Sequence, residues 1–424
     1  MNKSIPVSSP QSACDQPSQT PWLSVDQAIT RMTGSVKKIQ GTEVVSIREA
    51  LNRVLAEDVI SKINVPPYAN SAMDGYAVNS ADLPASGEKT LTLIGKSFAG
   101  IPFDGEVKPG ECIRIMTGAQ MAKGTDAVVM QEQTQVSENN VTIQAGHCKN
   151  ENVRHIGEDI KDGDVVLKAG QHLTPAELGV LASLGVANVS VQKKLRVAFF
   201  STGDELQNVE HELAEGQIYD SNRYTLYGML KNIGVELIDL GIIPDDRSAI
   251  ENAFKQAASQ ADVMITSGGV SVGEADYVKE TLDKLGKVDF WKISMKPGKP
   301  LAFGFVDNAV FFGLPGNPVS VMATFYQFVL PTMKTMMGMN NITAPIVKLP
   351  CKTLLKKAPG RTDFQRGIMQ TNEAGELVVE SIGMQASHVL SGMSKANCFI
   401  ILPAESGDIA AGSLVDVQPF RGLM

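Results

Sequence analysis

Over 194–340, short apolar runs alternate with longer amphipathic stretches. That alternation restricts the segment to a mostly parallel sheet wrapped by helices. Strands are expected at 195–200, 235–243 and 261–266. Helices are expected at 221–233, closed by Gly234, at 247–259 and at 277–285. Strands near 288–294, 301–305 and 309–313 follow, then a long helix from Pro318. Ligands of such a doubly wound fold sit outside the carboxyl ends of the strands. The turn Ser267-Gly268-Gly269-Val270-Ser271-Val272-Gly273-Glu274-Ala275-Asp276-Tyr277 falls at one of those ends. There, backbone N–H groups and a helix N-terminus favour an anion, and glycines permit its close approach. Glu274 and Asp276 beside an anion make sense with a cation between them, or as groups that orient a hydroxyl or amine.

Three further loops fall at the same edge: Ser201-Thr202-Gly203-Asp204-Glu205, Pro244-Asp245-Asp246-Arg247 and Gly313-Leu314-Pro315-Gly316-Asn317-Pro318. Taken singly they have plain readings. Asn317 and Pro318 form an ordinary N-cap and first-turn proline, Asp245 or Asp246 caps the next helix, and Asp204 is a turn residue. Glu205 as a solvent-facing residue is a harder dismissal. The convergence of the loops carries the functional reading. Lys292, Lys296 and Lys299, set around a Pro-Gly turn, supply the opposite charge for an oxyanion, against the alternative of a solvated loop. From the residues alone, the segment reads as an α/β enzyme acting on a phosphorylated ligand with a divalent cation.

The flanks differ. A capping box at Ser24-Val25-Asp26-Gln27 opens a helix carrying Ala28, Ile29 and Met32. A similar signal at Ser46-Ile47-Arg48-Glu49 predicts a second helix with Ile47, Ala50, Leu51, Val54 and Leu55 at core spacing. Alternating runs at 90–94, 112–116, 127–131 and 141–143 predict a small β-rich domain, followed by a helix at 174–184. Short strands after 343 suit a β-barrel or sandwich. The expected divisions are a disordered tail at 1–20, an elongated helical domain from 21–58 with 159–193, an inserted β-rich domain at 59–158, the α/β domain at 194–342, and a C-terminal β-barrel at 343–424.

In 424 residues, a net charge of −8 argues against nucleic acid and anionic membranes as partners. No apolar run approaches the ~20 residues of a membrane span. The polar N-terminus lacks the form of a signal peptide, and the cysteines, five and widely spaced, point to a reducing, cytoplasmic setting. His147, His155, His172, His211 and His388 show no ligand spacing, and no Walker loop or G-x-S-x-G elbow occurs. A zinc enzyme and a Ser-His hydrolase are therefore disfavoured.

The blocks PPYANSAMDGYA, RIMTGA, GEDI, STGDEL, the pair Asp245-Asp246, SGGVSVGEADY, KPGKP, GLPGNPVS and GRTDFQRG run in order over nearly the whole chain. Together they resemble the molybdopterin molybdenumtransferase family, the MoeA proteins and the gephyrin E domain. The resemblance implies binding of adenylylated molybdopterin, Mg²⁺-dependent release of AMP, and insertion of molybdate to give molybdenum cofactor. It implies a four-domain homodimer whose α/β-domain site the partner's inserted domain completes. Contact with the molybdopterin adenylyltransferase and with downstream cofactor-handling proteins is a further expectation. Carried onto this sequence, it implies catalytic roles for Asp276, Asp245, Glu205, Lys292, Lys296 and Asp74, with Glu205, Asp245 and Asp276 holding Mg²⁺ or orienting the ligand. It implies that Gly268, Gly269, Ser271 and Gly273 cradle the pterin phosphate, and that Thr117, Asp159, Pro315, Pro318, Arg366 and Ser387 contact substrate. Two alternatives stay open at this point: the preceding adenylyltransferase, which shares the glycine-rich signature, and a non-catalytic gephyrin-like scaffold.

Overall fold

The computed structural model describes residues 22–268 and 277–420, and the chain forms two compact units, 44–191 and 1–43 with 192–424. Helix α1 (Val25–Ser35) starts at its expected capping box, where the Gln27 N–H donates to Ser24 Oγ at 3.1 Å and the Ser24 N–H donates to Gln27 Oε1 at 3.0 Å.

In the 44–191 unit, the helix expected from Ser46 does not form. The Glu49 N–H donates to Ser46 Oγ and the Ser46 N–H donates to Glu49 Oε2, both at 3.4 Å, as a capping box would have it, but the segment is a turn. Asn52 takes a left-handed φ of 62°, and Val54 and Leu55 bridge to His172 and Val191. The apolar spacing that suggested a helix is satisfied by tertiary packing instead, since Ala50 and Leu55 lie in a core with Leu173, Leu181 and Val191. The β-rich part is one six-stranded sheet built from β1 (Gly75–Val78), β2 (Glu88–Ser97), β3 (Glu111–Ile115), β4 (Ala127–Met130), β5 (Thr134–Ser137) and β6 (Asn140–Gln144). Its order is β4-β1-β3-β2-β6-β5. Both faces are apolar: Tyr76 and Val78 enter one core, and Ala77, between them, enters another. Helix α2 (Pro175–Ser183) has proline in its first turn, as expected.

The second unit holds the α/β layer. Its elements are β7 (Arg196–Thr202), α3 (Ser221–Ile233), β8 (Glu236–Ile243), α4 (Arg247–Gln260), β9 (Val263–Ser267), α5 (Tyr277–Leu285), β10 (Gly286–Lys292), β11 (Pro300–Val306) and β12 (Ala309–Leu314). The sheet order is β8-β7-β9-β12-β11-β10. The first four positions pair in parallel, and β11 runs against both β12 and β10. Because β11 is the only reversed strand, β10 ends at the same edge as β7, β8, β9 and β12. The chain steps one way from β7 to β8 and the other way from β9 to β10. A right-handed crossover rule therefore assigns α3 and α5 to opposite faces and puts the topological switch between β7 and β9. Burial holds the layer together: Phe200 meets Phe254 edge-on at 5.4 Å and Phe254 meets Phe311 at 5.5 Å in a core shared with Val278 and Leu282.

After β12 comes the expected long helix, in three parts: α6 (Pro318–Thr324), a π-helical turn (Phe325–Val329) and α7 (Leu330–Met336). Pro331 accounts for the break, because it lacks the N–H that an unbroken ladder would use. Helix α1 packs on α7. The C-terminal strands are β13 (Val347–Pro350), β14 (Thr362–Thr371), β15 (Leu377–Ser381), β16 (Cys398–Leu402) and β17 (Leu414–Pro419). They pair in the order β14-β16-β17-β13 with β15 on the free side of β14, and a Cys351–Val379 bridge joins the end of β13 to β15. The sheet thus closes on itself as a barrel, leaving no open edge.

Candidate active site

The carboxyl edge of the α/β sheet opens into a cleft of about 810 Å³. The loop after β7 contributes Thr202, Gly203 and Glu205; the loop after β8 contributes Asp245; and Gly268 follows β9. The stretch from Lys296 to Pro300, the turn Pro315-Gly316-Asn317, and Arg361 and Ser387 from the C-terminal strands supply the remaining wall.

Local chemistry explains these positions. Gly268 has φ +92°, and a Cβ there would lie 2.8 Å from the Thr202 carbonyl oxygen, so the β7 and β9 loops approach as closely as only glycine allows. Asn222 at the start of α3 donates to Ser267 Oγ at 2.8 Å and to the Gly316 carbonyl at 2.7 Å, tying two cleft loops together. The Val319 N–H donates to the Ser387 carbonyl at 3.1 Å, which fixes the barrel loop to the start of α6. Met295–Lys296 pairs with Thr362–Asp363 of β14, so the lysine loop is also stitched to the barrel.

The charges separate into two groups. On one side, the Asp245 N–H donates to Asp204 Oδ1 at 3.1 Å. Burial, and then the charges of Asp204 and Glu205, push the Asp245 carboxyl above its ordinary range. Hard oxygen donors that repel one another in this way suit a divalent cation, which would offset their charge. The second group, Lys296, Lys299 and Arg361, lines the same cleft. Lys296 Nζ is 3.8 Å from Asp363 Oδ2, and Lys299 Nζ sits 4.7 Å from the centre of the Trp22 ring. A cleft lined by both acidic and basic groups can hold a cation and an oxyanion side by side.

Of the residues expected from sequence, Glu205, Asp245, Gly268, Lys296, Pro315 and Ser387 come together in this cleft. Lys292, the last residue of β10, and Pro318, the first of α6, are not among its lining residues. Asp276, Gly269, Ser271 and Gly273 lie outside the described residues. Arg366 departs from its expected place as a substrate contact. It is 1% exposed, and its guanidinium donates to the carbonyls of Met384 (2.7 Å), Ala386 (3.2 Å) and Val389 (2.9 Å). It holds the loop that carries Ser387, while Arg361, five residues earlier, reaches the cleft. Nothing in the block GRTDFQRG distinguishes its two arginines; in the structure Arg361 sits in the turn before β14 and Arg366 within the strand. Lys299, expected as part of the lysine turn, lines the cleft, and so does Thr202, which the sequence shows only as the second residue of the Ser201–Glu205 loop. Gln385 carried no sequence signal.

Asp74, Thr117 and Asp159 belong to the 44–191 unit. The Thr117 N–H and Oγ1 donate to Asp74 Oδ1 at 2.8 and 2.7 Å, and these bonds hold the Asp74 carboxyl below its usual range. Asp159 lines a separate cavity of about 500 Å³ in that unit, with Val65, Pro66, Asn70, Arg154 and Glu158.

Comparison with known proteins follows this geometry. Residues 23–185 match the MoeA N-terminal region (domain I and II), 198–335 a probable molybdopterin binding domain, and 348–420 the MoeA C-terminal region (domain IV). The chain is 50% identical over 404 residues to a molybdopterin molybdenumtransferase of Haemophilus influenzae, covering 95% of this chain and 100% of the relative. A molybdopterin molybdenumtransferase of Staphylococcus aureus is 37% identical over 399 residues, covering 93% and 95%. The crystal structure of a molybdopterin biosynthesis MoeA protein from Pyrococcus horikoshii superposes with a TM-score of 0.81 at 29% identity, covering 94% of this chain and all of that one.

Proposed function

The chain belongs to the MoeA family of molybdopterin molybdenumtransferases, and we propose that its cleft binds adenylylated molybdopterin, releases AMP and inserts molybdate with the help of Mg²⁺. It is a transferase of molybdenum cofactor biosynthesis. The finer steps rest on one observation: carboxylate loops and lysine and arginine groups converge on a single cleft at the sheet's switch edge.

Glu205 and Asp245 are proposed to hold Mg²⁺; burial and then the charges of Asp204 and Glu205 raise Asp245, and among the described residues no three ligand groups gather closely enough to hold an ion by themselves. The ion would supply charge neutralisation at the phosphoanhydride. Lys296, Lys299 and Arg361 offer N–H donors and positive charge to phosphate or molybdate oxygens. Gly268 leaves its backbone open to the ligand. Pro315 and the Ser387 loop wall the cleft and shed water from it. Asp276, Gly269, Ser271 and Gly273 complete the glycine-rich turn in this proposal. Asp74, Thr117 and Asp159 are proposed to act as the partner subunit's contribution in a homodimer. Arg366 is proposed as the brace of the Ser387 loop.

The single-turnover reaction of purified protein with adenylylated molybdopterin and Mg²⁺, followed with and without molybdate, tests the reading. Molybdate-dependent AMP release is expected. Binding without release under any condition would point to a scaffold. The cytoplasm is the proposed location; among the described residues no helix is long and apolar enough to cross a membrane. The finer limits 21–58 with 159–193, 59–158, 194–342 and 343–424 stand as proposed domains, and contact with the adenylyltransferase and downstream cofactor-handling proteins as proposed partnerships.

A further inference from the structure

Thr202 ends β7 at the topological switch, directly across from Gly268 at the end of β9. It is 4% exposed, it lines the cleft, and its hydroxyl meets no hydrogen-bond partner among the described residues. A buried hydroxyl left without a partner costs free energy, so such a group in a folded protein calls for an explanation. Ser201 and Thr266 carry buried, unpartnered hydroxyls close by, but neither lines the cleft.

We infer that the Thr202 hydroxyl is a ligand contact, donating a hydrogen bond to a phosphate oxygen of the pterin ligand. This rests on the proposed reading of the cleft and deepens it. Four observations support it. The switch point between β7 and β9 is where open α/β sheets place their ligands. Gly268 has no side chain to press on Thr202, whose carbonyl oxygen a Cβ there would meet at 2.8 Å. Lys296, Lys299 and Arg361 line the same cleft, and their charge favours an anionic group. A hydroxyl donates readily to an anionic oxygen and adds no charge to a floor already bearing Glu205 and Asp245. Thr202 is then a specificity residue: it distinguishes a ligand with an oxyanion at the switch from one without.

The test compares wild type with Thr202→Val, Thr202→Ser and Thr266→Val. Molybdopterin affinity is read by fluorescence titration, inorganic phosphate by its competition, and stability by thermal melting without ligand. Thr202→Val removes only the hydroxyl, so its Tm is expected to equal or exceed that of wild type. Its affinity for molybdopterin should fall about tenfold, and competition by phosphate should weaken by a similar factor. Thr202→Ser should restore both affinities. Thr266→Val should leave both affinities unchanged and its Tm no lower. Unchanged molybdopterin affinity in Thr202→Val overturns the inference, as does a loss that Thr202→Ser fails to restore. A loss for molybdopterin with phosphate competition intact overturns the assignment to phosphate. Should wild type itself bind no molybdopterin, the reading of the cleft fails first, which separates that failure from this one.

Discussion

At the residue scale, Asp245 shows how a site departs from what stability alone would select. Its carboxyl is raised first by burial and then by the neighbouring carboxylates of Asp204 and Glu205. A raised acid contributes stability that is fully present below the unfolded pKa and is lost as pH rises through the folded pKa. Asp245→Asn should therefore flatten, relative to wild type, the decline in Tm that sets in as pH rises above the ordinary aspartate range of about 4. The same change should weaken Mg²⁺ binding by about tenfold, measured by calorimetric titration, because it removes one hard ligand. A variant that binds Mg²⁺ as wild type does would take Asp245 out of the cation site. The motif around Asp245-Asp246 was legible in the chain, but its division of labour was not. Asp246 accepts from the Ala249 N–H at 2.9 Å and caps α4, while Asp245 faces the cleft. Adjacent aspartates look alike until the helix start is placed.

At the scale of elements, the loops after β7 and β9 and the barrel loop 384–389 form the cleft, and each has its own brace. Gly268 braces the first pair. Gly268→Ala would place a Cβ 2.8 Å from the Thr202 carbonyl oxygen at a φ of +92°, and should destabilise the protein by about 1–3 kcal/mol in urea denaturation. Arg366 braces the barrel loop by donating to three carbonyls from within the protein. Arg366→Met keeps much of the buried volume but leaves those carbonyls without donors. The expected cost is about 3 kcal/mol, with faster hydrogen exchange confined to the 384–389 loop and its neighbours and a higher KM for the pterin substrate. A global loss of protection with an unchanged KM would make Arg366 a core residue with no bearing on the site. The absent helix at 46–55 belongs to this scale as well. Its apolar spacing and its capping box are both present in the sequence. Asn52 and the bridges of Val54 and Leu55 override them, because pairing with 172 and 191 satisfies the backbone while the same side chains stay buried.

At the scale of the whole molecule, function depends on a sheet whose single reversed strand returns β10, and with it the lysine loop, to the edge where the acidic loops end. Had β11 run parallel to its neighbours, the same lysines would leave β10 at the opposite edge, far from Asp245. The core under that edge is aromatic. Phe254→Ala opens a cavity between Phe200 and Phe311 and should cost about 3–5 kcal/mol, read from the exchange protection of amides in β9. The closed barrel formed by β13 to β17 supplies a second rigid support, to which Met295–Lys296 is paired through β14. A rigid sheet and a rigid barrel hold the two walls of the cleft at fixed separation, which is what electrostatic preorganisation requires.

The chain's own pattern determined which elements exist in the α/β layer, because periodicity, caps and glycines are local signals. It also determined the inventory of chemistry, since carboxylates, lysines and glycines fall in short ordered blocks. The tertiary structure decided which members of that inventory share a space. Strand order carried Glu205, Asp245 and Lys296 to one cleft. Arg361, just before β14, lines it, while Arg366 within β14 lies beneath a loop. Close approach at Gly268 left the Thr202 hydroxyl buried and unpaired. These outcomes depend on contacts between residues far apart in the chain, and no local propensity encodes them.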